Sequence, residues 1–460
     1  MANYRTKPAA TKGMPTGIPY IIGNEAAERF SFYGMKAVLV IFMVEHLLGA
    51  DGALATMSES RAKFWTHFFV FAVYFTPLLG SLLSDVFWGK YRTIMVLSVV
   101  YCLGHFALAL NETRVGLMLG LGLIALGAGG IKPCVSAHVG DQFGKSNQFR
   151  LTSVFAWFYF SINAGAMIAQ SLTPKLLVNV GPWAAFGLPG VLMVLATIMF
   201  WLGRNSFVHI PAAGWHHFKK DFVEHGWSIV RRLGLLYFFG VSMFWALFDQ
   251  TATAWVLQAK HMNRNVFSVE LEPGQLLAVN PFLILVFIPL FNYVIYPIAG
   301  RFVRITPLRK MGTGLFLAVT SFVVCAMIES RIETGLTPTI WWQVGAYVLL
   351  TAAEILVSIT ALEFAYTQAP NRLKSVVMCL YLVSVAIGNL LPMAVNFFME
   401  NPDGSTRLTG VQYYLFFVFA MLAAAVLFVI LARKYLPRDF VQDEDDEHPK
   451  ADMEAEVEMR

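Results

Sequence analysis

Long apolar runs dominate the chain, and short polar segments separate one run from the next. An α-helix needs about 20 predominantly apolar residues to cross about 30 Å of hydrocarbon, and twelve runs reach that length. The pattern therefore predicts an all-α polytopic membrane protein. Its twelve predicted spans are 20–48, 64–83, 93–111, 115–138, 150–172, 183–202, 230–257, 277–299, 311–329, 340–366, 374–398 and 412–432.

The composition agrees with a membrane protein. Of the 460 residues, 57% are hydrophobic and only 14% are charged, whereas soluble domains carry about 25% charged residues. All four cysteines fall within predicted spans and lack the spacing of metal ligands. Neither a bound metal nor a disulfide is therefore expected.

The basic residues predict the orientation of the chain. If both termini are cytoplasmic, the inner segments hold 23 of the 34 Lys and Arg residues and the outer loops hold eight. This is the positive-inside bias of membrane proteins. It accounts for the net charge of +5 without a nucleic-acid partner. We expect a multi-pass protein of a cell membrane, with a bacterial inner membrane as its location.

Six spans precede a basic segment at 203–229 and six follow it. This arrangement predicts two six-helix bundles, 1–202 and 230–435, with a central cavity between them. The 203–229 linker mixes aromatic residues with Lys, Arg and His, as amphipathic helices at a membrane surface do. The acidic segment 436–460 is expected to form a disordered cytoplasmic tail.

The first span contains unusual charges. Glu25, Glu28 and Arg29 are spaced i, i+3 and i+4, so a helix places all three on one face. A lipid-facing charge at the bilayer centre costs about 2.5–3.5 kcal/mol or more, so such residues normally face a bundle interior or a watery cavity. The cluster indicates an ion or substrate pathway. The alternative is a structural Glu–Arg pair that locks helices together.

Other polar residues in the spans extend this prediction. Lys132 falls in the cytoplasmic half of the fourth span, at the depth of the first-span cluster. Glu354 lies near the middle of the tenth span, with Ser358 one turn further along the same face. Glu363 is about 180° from Glu354 on an ideal helix, so we predict a structural or gate-pairing role for it rather than a place in the cavity.

Several motifs carry a resemblance to known transporters. GSLLSDVFWGKYR at 80–92 resembles the G-x-x-x-D-x-x-x-G-[RK]-x-[RK] loop of the major facilitator superfamily. EAAERFSFYG at 25–34 is similar to the E-x-x-E-R-F-x-Y-Y-G signature of the proton-dependent oligopeptide transporter family, and FYFSINAG at 158–165 to its F-Y-x-x-I-N-x-G motif. GIKPCVSAHVGDQF at 130–143, FWALFDQ at 244–250 and EILVSITALEF at 354–364 resemble its fourth, seventh and tenth spans.

The resemblance implies the major facilitator fold and a proton-coupled symporter that imports di- and tripeptides by alternating access. Short peptides, protons and the bilayer are then the expected partners, with no cofactor besides the proton. The end charges of a di- or tripeptide lie roughly 6–10 Å apart. Arg29 and Lys132 would hold the carboxylate, and Glu354 the ammonium group. The substrate residues implied are Arg29, Tyr33, Tyr74, Lys132, Asn163, Trp245, Asn280, Glu354 and Ser358.

Proton coupling needs a group whose charge changes during transport. Desolvated carboxylates beside Arg29 titrate closer to neutral pH than free ones do, and Glu25 and Glu28 are the leading candidates. The coupling set implied is Glu25, Glu28, Arg29, Lys132 and His67, where His67 matches a histidine of animal members of the family. A histidine packed among aromatics at the membrane interface is the other interpretation of His67. Lys36 and Asp249 fall in the outer halves of their spans and are predicted to pair as an external gate.

The chain departs from the family pattern at a few positions. Ala254 and Asn292 stand where animal members have Arg and Asp, which removes one charge pair, and Phe32 replaces a tyrosine of the first signature. A carrier of another small solute, such as nitrate or an amino-acid conjugate, is the nearest alternative. A channel or a membrane-embedded enzyme is more distant, since the sequence contains no nucleophile–base arrangement or phosphate-binding loop. We therefore predict that the protein is not an enzyme. The sequence does not define its oligomeric state.

Overall fold

A computed structural model describes residues 4–8, 11–212, 214, 227–367, 374–398, 400–401, 407–408 and 410–435. This part of the chain forms twelve long helices, as the hydrophobic pattern predicts. Their bounds are α1 Ile18–Ile41, α2 Glu59–Trp88, α3 Lys90–Leu110, α4 Arg114–Asp141, α5 Leu151–Asn179, α6 Pro182–Leu202, α7 Leu233–Ala259, α8 Pro273–Ala299, α9 Pro307–Glu333, α10 Trp341–Phe364, α11 Lys374–Phe398 and α12 Gly410–Lys434.

Eleven of the described helices are long and apolar enough to cross a membrane. The exception is α1, which a π-helical turn at Phe42–His46 extends, and which carries four charged side chains within its length. These are the charges that the sequence places in an apolar segment, and they make α1 less apolar than the other long helices.

Two large groups of buried apolar side chains form most of the core, and a small third group joins Ile284 and Phe291 with Ile355 and Leu356. The larger part of one large group comes from α1–α6, and the other large group is built by α7–α12. The predicted boundaries at 202 and 230 stay predictions, because about half of the linker (213 and 215–226) and the acidic tail at 436–460 lie outside the described residues. Helical structure resumes at Trp227 and leads into α7.

The two ends of the helix assembly differ. We call the end at which α6 finishes the linker end. Tyr4 stacks there on His209 with 4.1 Å between ring centroids, and the His209 N–H donates to the Arg5 carbonyl over 2.7 Å. At the opposite or far end, the loops after α7 and α9 meet where the Asn263 N–H donates to the Pro338 carbonyl. A hairpin of β1 Asn265–Val266 and β2 Val269–Glu270, not predicted from the sequence, also lies there.

Glycines allow α2 and α4 to approach closely. A Cβ atom added at Gly80 would lie 2.8 Å from the Gly129 carbonyl oxygen and 2.9 Å from the Gly130 amide nitrogen. Backbone atoms cannot rotate out of the way as a flexible side chain does. Small residues at such crossings are common in membranes, where close packing stabilises helix association.

We expect Gly80→Ala to lower stability by about 1–3 kcal/mol because the added methyl group overpacks this crossing. The measurement is the midpoint of thermal unfolding in detergent. Gly122→Ala on α4 is the matched control, since a Cβ there meets nothing within 4 Å. Equal midpoints for the two variants would contradict the close approach of α2 and α4.

Candidate functional site

A cavity of about 580 Å³ lies between the two groups of helices. It extends from Lys36 and Asp249 toward the linker end, where Lys310 and Glu363 line it. Nine residues that the sequence analysis selects belong to its lining: Tyr33, Lys36, Tyr74, Asn163, Trp245, Asp249, Asn280, Glu354 and Ser358.

On the α7–α12 side of the cavity, Glu354 is the central polar group. Its Oε2 accepts a hydrogen bond from Asn280 Nδ2 over 2.7 Å, and the same Asn280 nitrogen lies 3.1 Å from Thr351 Oγ1. Among the described residues, no cationic group lies within ion-pair distance of Glu354. One wall of the cavity therefore presents a carboxylate that a bound cation would neutralise.

Glu363 lines the same cavity as Glu354, so its predicted place away from the cavity is wrong. The reason is a π-helical turn at Ile355–Ile359, between the two acids. A π turn contains one residue more than an α-helical turn, which rotates every later side chain by about 100°. Periodicity counted on an ideal helix cannot detect this rotation.

The α1–α6 side contains the cluster that the sequence predicts. Arg29 Nε lies 2.6 Å from Glu25 Oε1 and 3.3 Å from Glu28 Oε2, and Lys132 Nζ lies 3.6 Å from Glu28 Oε1. Both carboxylates are fully buried, so Glu25 depends on Arg29 for charge compensation and Glu28 depends on both bases. Two acids and two bases balance in formal charge. Glu28 occupies the middle position because both bases approach it.

This cluster lies behind the cavity wall. Arg29 and Lys132 are not among the lining residues, although Tyr33 and Tyr74 are. Lys132 Nζ lies 4.1 Å from the ring centroid of Phe32 and 5.9 Å from that of Tyr74, and it has no hydrogen-bond partner in the described part of the chain. Direct contact of either base with a substrate stays a prediction, and it requires these side chains to move.

A second buried network closes the far end of the cavity. Lys36 Nζ on α1 lies 2.5 Å from Asp249 Oδ1 on α7, which is the pair that the sequence predicts. Asn389 on α11 donates to Asp249 Oδ2 over 2.8 Å. His67 on α2 completes the network, with Nδ1 2.9 Å from Asn389 Oδ1 and Nε2 3.1 Å from Thr253 Oγ1.

The structure changes the description of His67 and adds two residues to the network. His67 is completely buried and is therefore closed off from solvent in this conformation, and its role in proton coupling stays a prediction. Asn389 and Thr253, equally buried, are the residues that sequence reasoning misses. Both are polar residues within predicted apolar spans, and this could have marked them as network members because buried polar groups need partners.

Further contacts join the two groups of helices at the far end. Arg61 Nε lies 3.1 Å from Glu400 Oε1, and Lys260 Nζ lies 2.5 Å from Glu45 Oε1. Together with the Lys36 pair, these are the ion pairs that connect α1–α6 and their loops with α7–α12 among the described residues. All three lie at the far end, whereas the cavity extends toward the linker end.

The buried pair gives a direct test. We expect Lys36→Asp or Asp249→Lys alone to lower activity at least tenfold, because each leaves buried charges unpaired, which costs about 3–5 kcal/mol. The double variant should recover activity. The measurement is uptake into vesicles of a labelled dipeptide, the substrate class that the family resemblance implies, normalised to inserted protein. Exchange of charges in the partly exposed Glu45–Lys260 pair is the control, with an expected change below a few-fold. Failure of the double variant to recover would count against the pairing.

Comparisons with known proteins place the chain in a class. A solved structure described as the POT family transporter PepTSo has a TM-score of 0.81 and 35% identity, over 92% of this chain and 99% of the other. A second, described as a proton dependent oligopeptide (POT) family transporter, has a TM-score of 0.76 and 36% identity over 89% and 100%. The fold is therefore that of a membrane transporter of the major facilitator type.

The family follows from the sequence comparison. A family model described as the POT family matches residues 91–224 and 209–412, and the chain belongs to that family. Solute carrier family 15 member 2 of Homo sapiens is 36% identical over 71% of this chain and 51% of its own length. Peptide transporter family 1 of Drosophila melanogaster is 36% identical over 69% and 48%. The chain thus spans about half the length of these curated relatives.

Proposed function

We propose that the protein is a symporter that uses a proton gradient to import di- and tripeptides by alternating access. One observation carries the proposal: an uncompensated carboxylate on one wall of the cavity faces a wall backed by a charge-balanced cluster of two acids and two bases. The relatives named as peptide transporters support peptides as the substrate class.

The cavity suits a short zwitterion. Its volume of about 580 Å³ falls in the range of small-molecule sites. The peptide ammonium group binds Glu354 and forms a charge-assisted hydrogen bond, stronger than a neutral one. Tyr33, Tyr74 and Trp245 offer flat apolar surfaces that accept side chains of varied shape.

The acid–base cluster couples the proton to the peptide. Protonation of Glu28 removes one negative charge, so the four-residue cluster becomes net positive. Arg29 or Lys132 is then less firmly held and binds the peptide carboxylate at the cavity wall. Release of the proton restores the ion pairs and weakens peptide binding. Proton and peptide thus stabilise the same state, which is the condition for coupled binding.

Alternating access requires the far-end network to separate. Opening toward that end breaks the Lys36–Asp249 pair and the contacts of His67 with Asn389 and Thr253. Water or peptide charges must replace these partners, since unpaired buried charges are costly. His67 becomes exposed at this stage and is then available to accept a proton from the outer solution.

We also propose an orientation of the chain in the membrane. We place the linker end in the cytoplasm, together with both chain termini, because most of the basic loop residues lie on that side. The cavity then extends toward the cytoplasm, and the closed end faces outward. A bacterial inner membrane is the proposed location.

The deciding experiment is uphill uptake of a labelled dipeptide into vesicles that contain the purified protein, driven by an imposed proton gradient. One pH unit supplies about 1.4 kcal/mol and 100 mV about 2.3 kcal/mol per charge, enough for accumulation of several hundred-fold. Equilibration without accumulation would indicate a channel, and chemical conversion of the peptide an enzyme. Uptake of nitrate or an amino-acid conjugate in place of the peptide would change the substrate class.

A further inference from the structure

A second cavity opens on the surface of the α7–α12 half at the linker end, where its lining residues Val303 and Phe316 are exposed. Its volume is about 930 Å³, and α8, α9 and α12 form most of its walls. Four basic side chains line it: Arg304, Arg309, Lys310 and Arg433. No acidic residue is among the described residues that line it. We call this cavity the basic groove.

The four bases lie at one level of the membrane. Arg304 belongs to the turn between α8 and α9, Arg309 and Lys310 to the first turn of α9, and Arg433 to the last turn of α12. Phe316 and Phe291 line the groove further along their helices. A helix rises 1.5 Å per residue, so Phe316 lies about 10 Å deeper than Arg309. The groove is therefore basic at its rim and apolar inside.

The bases of the groove form no ion pair with the described part of the protein, although Glu363 and Lys310 both line the transport cavity. Arg309 Nη1 donates to the Arg304 carbonyl over 2.9 Å, and Lys310 Nζ lies 4.2 Å from the ring centroid of Tyr296. These contacts orient the bases without cancelling their charge. Four basic side chains that line one groove at the membrane surface provide a site for a phosphate group.

We propose that the basic groove binds one anionic phospholipid from the leaflet at the linker end. Its phosphate binds the four bases, and one acyl chain lies along Phe291, Phe316 and Val429. The apolar depth of the groove favours a lipid over a soluble phosphate, because a soluble ion would use only the rim. Basic pockets between membrane helices are a recurrent form of lipid headgroup site.

The bound lipid would also touch the transport cavity. Lys310 and Tyr296 line both the basic groove and the cavity that contains Glu354. A phosphate in the groove draws the Lys310 ammonium group away from the cavity, so membrane composition influences the linker-end opening. The lipid site itself does not depend on which solute the cavity carries.

The test is native mass spectrometry of the purified full chain in detergent, titrated with phosphatidylglycerol or with phosphatidylcholine. We expect one phosphatidylglycerol to bind at least about tenfold more tightly than phosphatidylcholine. The double variant Arg309→Ala with Arg433→Ala should lose about tenfold or more of this affinity, since each base near an anionic headgroup contributes substantially. Arg204→Ala with Arg231→Ala removes the same charge from the linker end outside the groove, and its affinity should stay within twofold of the original.

A second variant separates the lipid from a free anion. Thr313 lines the groove and is exposed, so Thr313→Trp fills the groove while all four charges remain. We expect this variant to lose bound phosphatidylglycerol. Unchanged binding by Thr313→Trp, an equal loss in the control pair, or displacement of the lipid by millimolar glycerol 3-phosphate would each overturn the proposal.

Discussion

Glu354→Gln should reduce proton-driven dipeptide uptake to less than a tenth of the original rate while membrane insertion stays normal. The amide keeps the size of the side chain and can still bond Asn280, but it cannot neutralise an ammonium group. Hydrogen bonds to charged groups contribute about 1.5–3 kcal/mol, equivalent to about 10- to 150-fold in binding. The measurement is initial uptake of a labelled dipeptide into vesicles, normalised to the amount of inserted protein.

A matched control is available on α9. Glu329 Oε2 accepts a hydrogen bond from Gln258 Nε2 over 2.7 Å, much as Glu354 accepts from Asn280, but Glu329 does not line the cavity. Glu329→Gln should therefore keep most of the uptake. Normal transport by Glu354→Gln would remove this residue from the mechanism. Equal loss in both variants would indicate a general effect of removing an acid from a membrane helix.

Glu28→Gln should abolish accumulation while downhill exchange of dipeptide continues. The variant mimics the protonated acid permanently, so Arg29 and Lys132 remain available to the peptide but no proton is carried. The expected ratio of internal to external dipeptide falls from several hundred-fold to about one. Accumulation and counterflow, measured in the same vesicles, separate loss of coupling from loss of binding.

Glu59→Gln is the control for this prediction. Glu59 pairs with Lys63 over 3.7 Å within α2, so its loss also breaks an ion pair inside one helix, although this pair is half exposed. We expect normal accumulation from it. Accumulation at the original ratio by Glu28→Gln would show that another group carries the proton, and Glu25 would be the next candidate. Loss of both accumulation and counterflow would instead assign Glu28 a structural role.

The fold could be predicted from the sequence because exclusion of charge from hydrocarbon is a strong local rule. Each predicted span falls on a helix, but several helices continue beyond the predicted ends. α2 begins at Glu59 rather than at 64, because Ser58 caps it by accepting from the Arg61 N–H. Capped polar turns of this kind extend a helix past the bilayer core, and a hydropathy profile does not detect them because their residues are not apolar.

Much of the candidate site was also visible in the sequence. Few charged residues lie within apolar runs, so the number of possible ion pairs among them is small. The predicted pair of Lys36 and Asp249 forms in the structure. The parts missed depend on tertiary geometry. The contacts of Asn389 are with Asp249 on α7 and His67 on α2, so they exist only after three helices have packed together. The burial of His67 likewise depends on the closed far end. The roles of these residues in transport stay predictions.

The π-helical turn in α10 suggests how the charge of such a cavity can change during evolution. Glu354 and Glu363 line the same wall of the cavity because the π-helical turn between them contains one extra residue. That residue changes the angle between the two side chains around the helix axis. A deletion of one codon in Ile355–Ile359 would turn the second acid away without replacing any side chain. Gain or loss of one codon at such a position is therefore a short mutational route to a binding site of different charge.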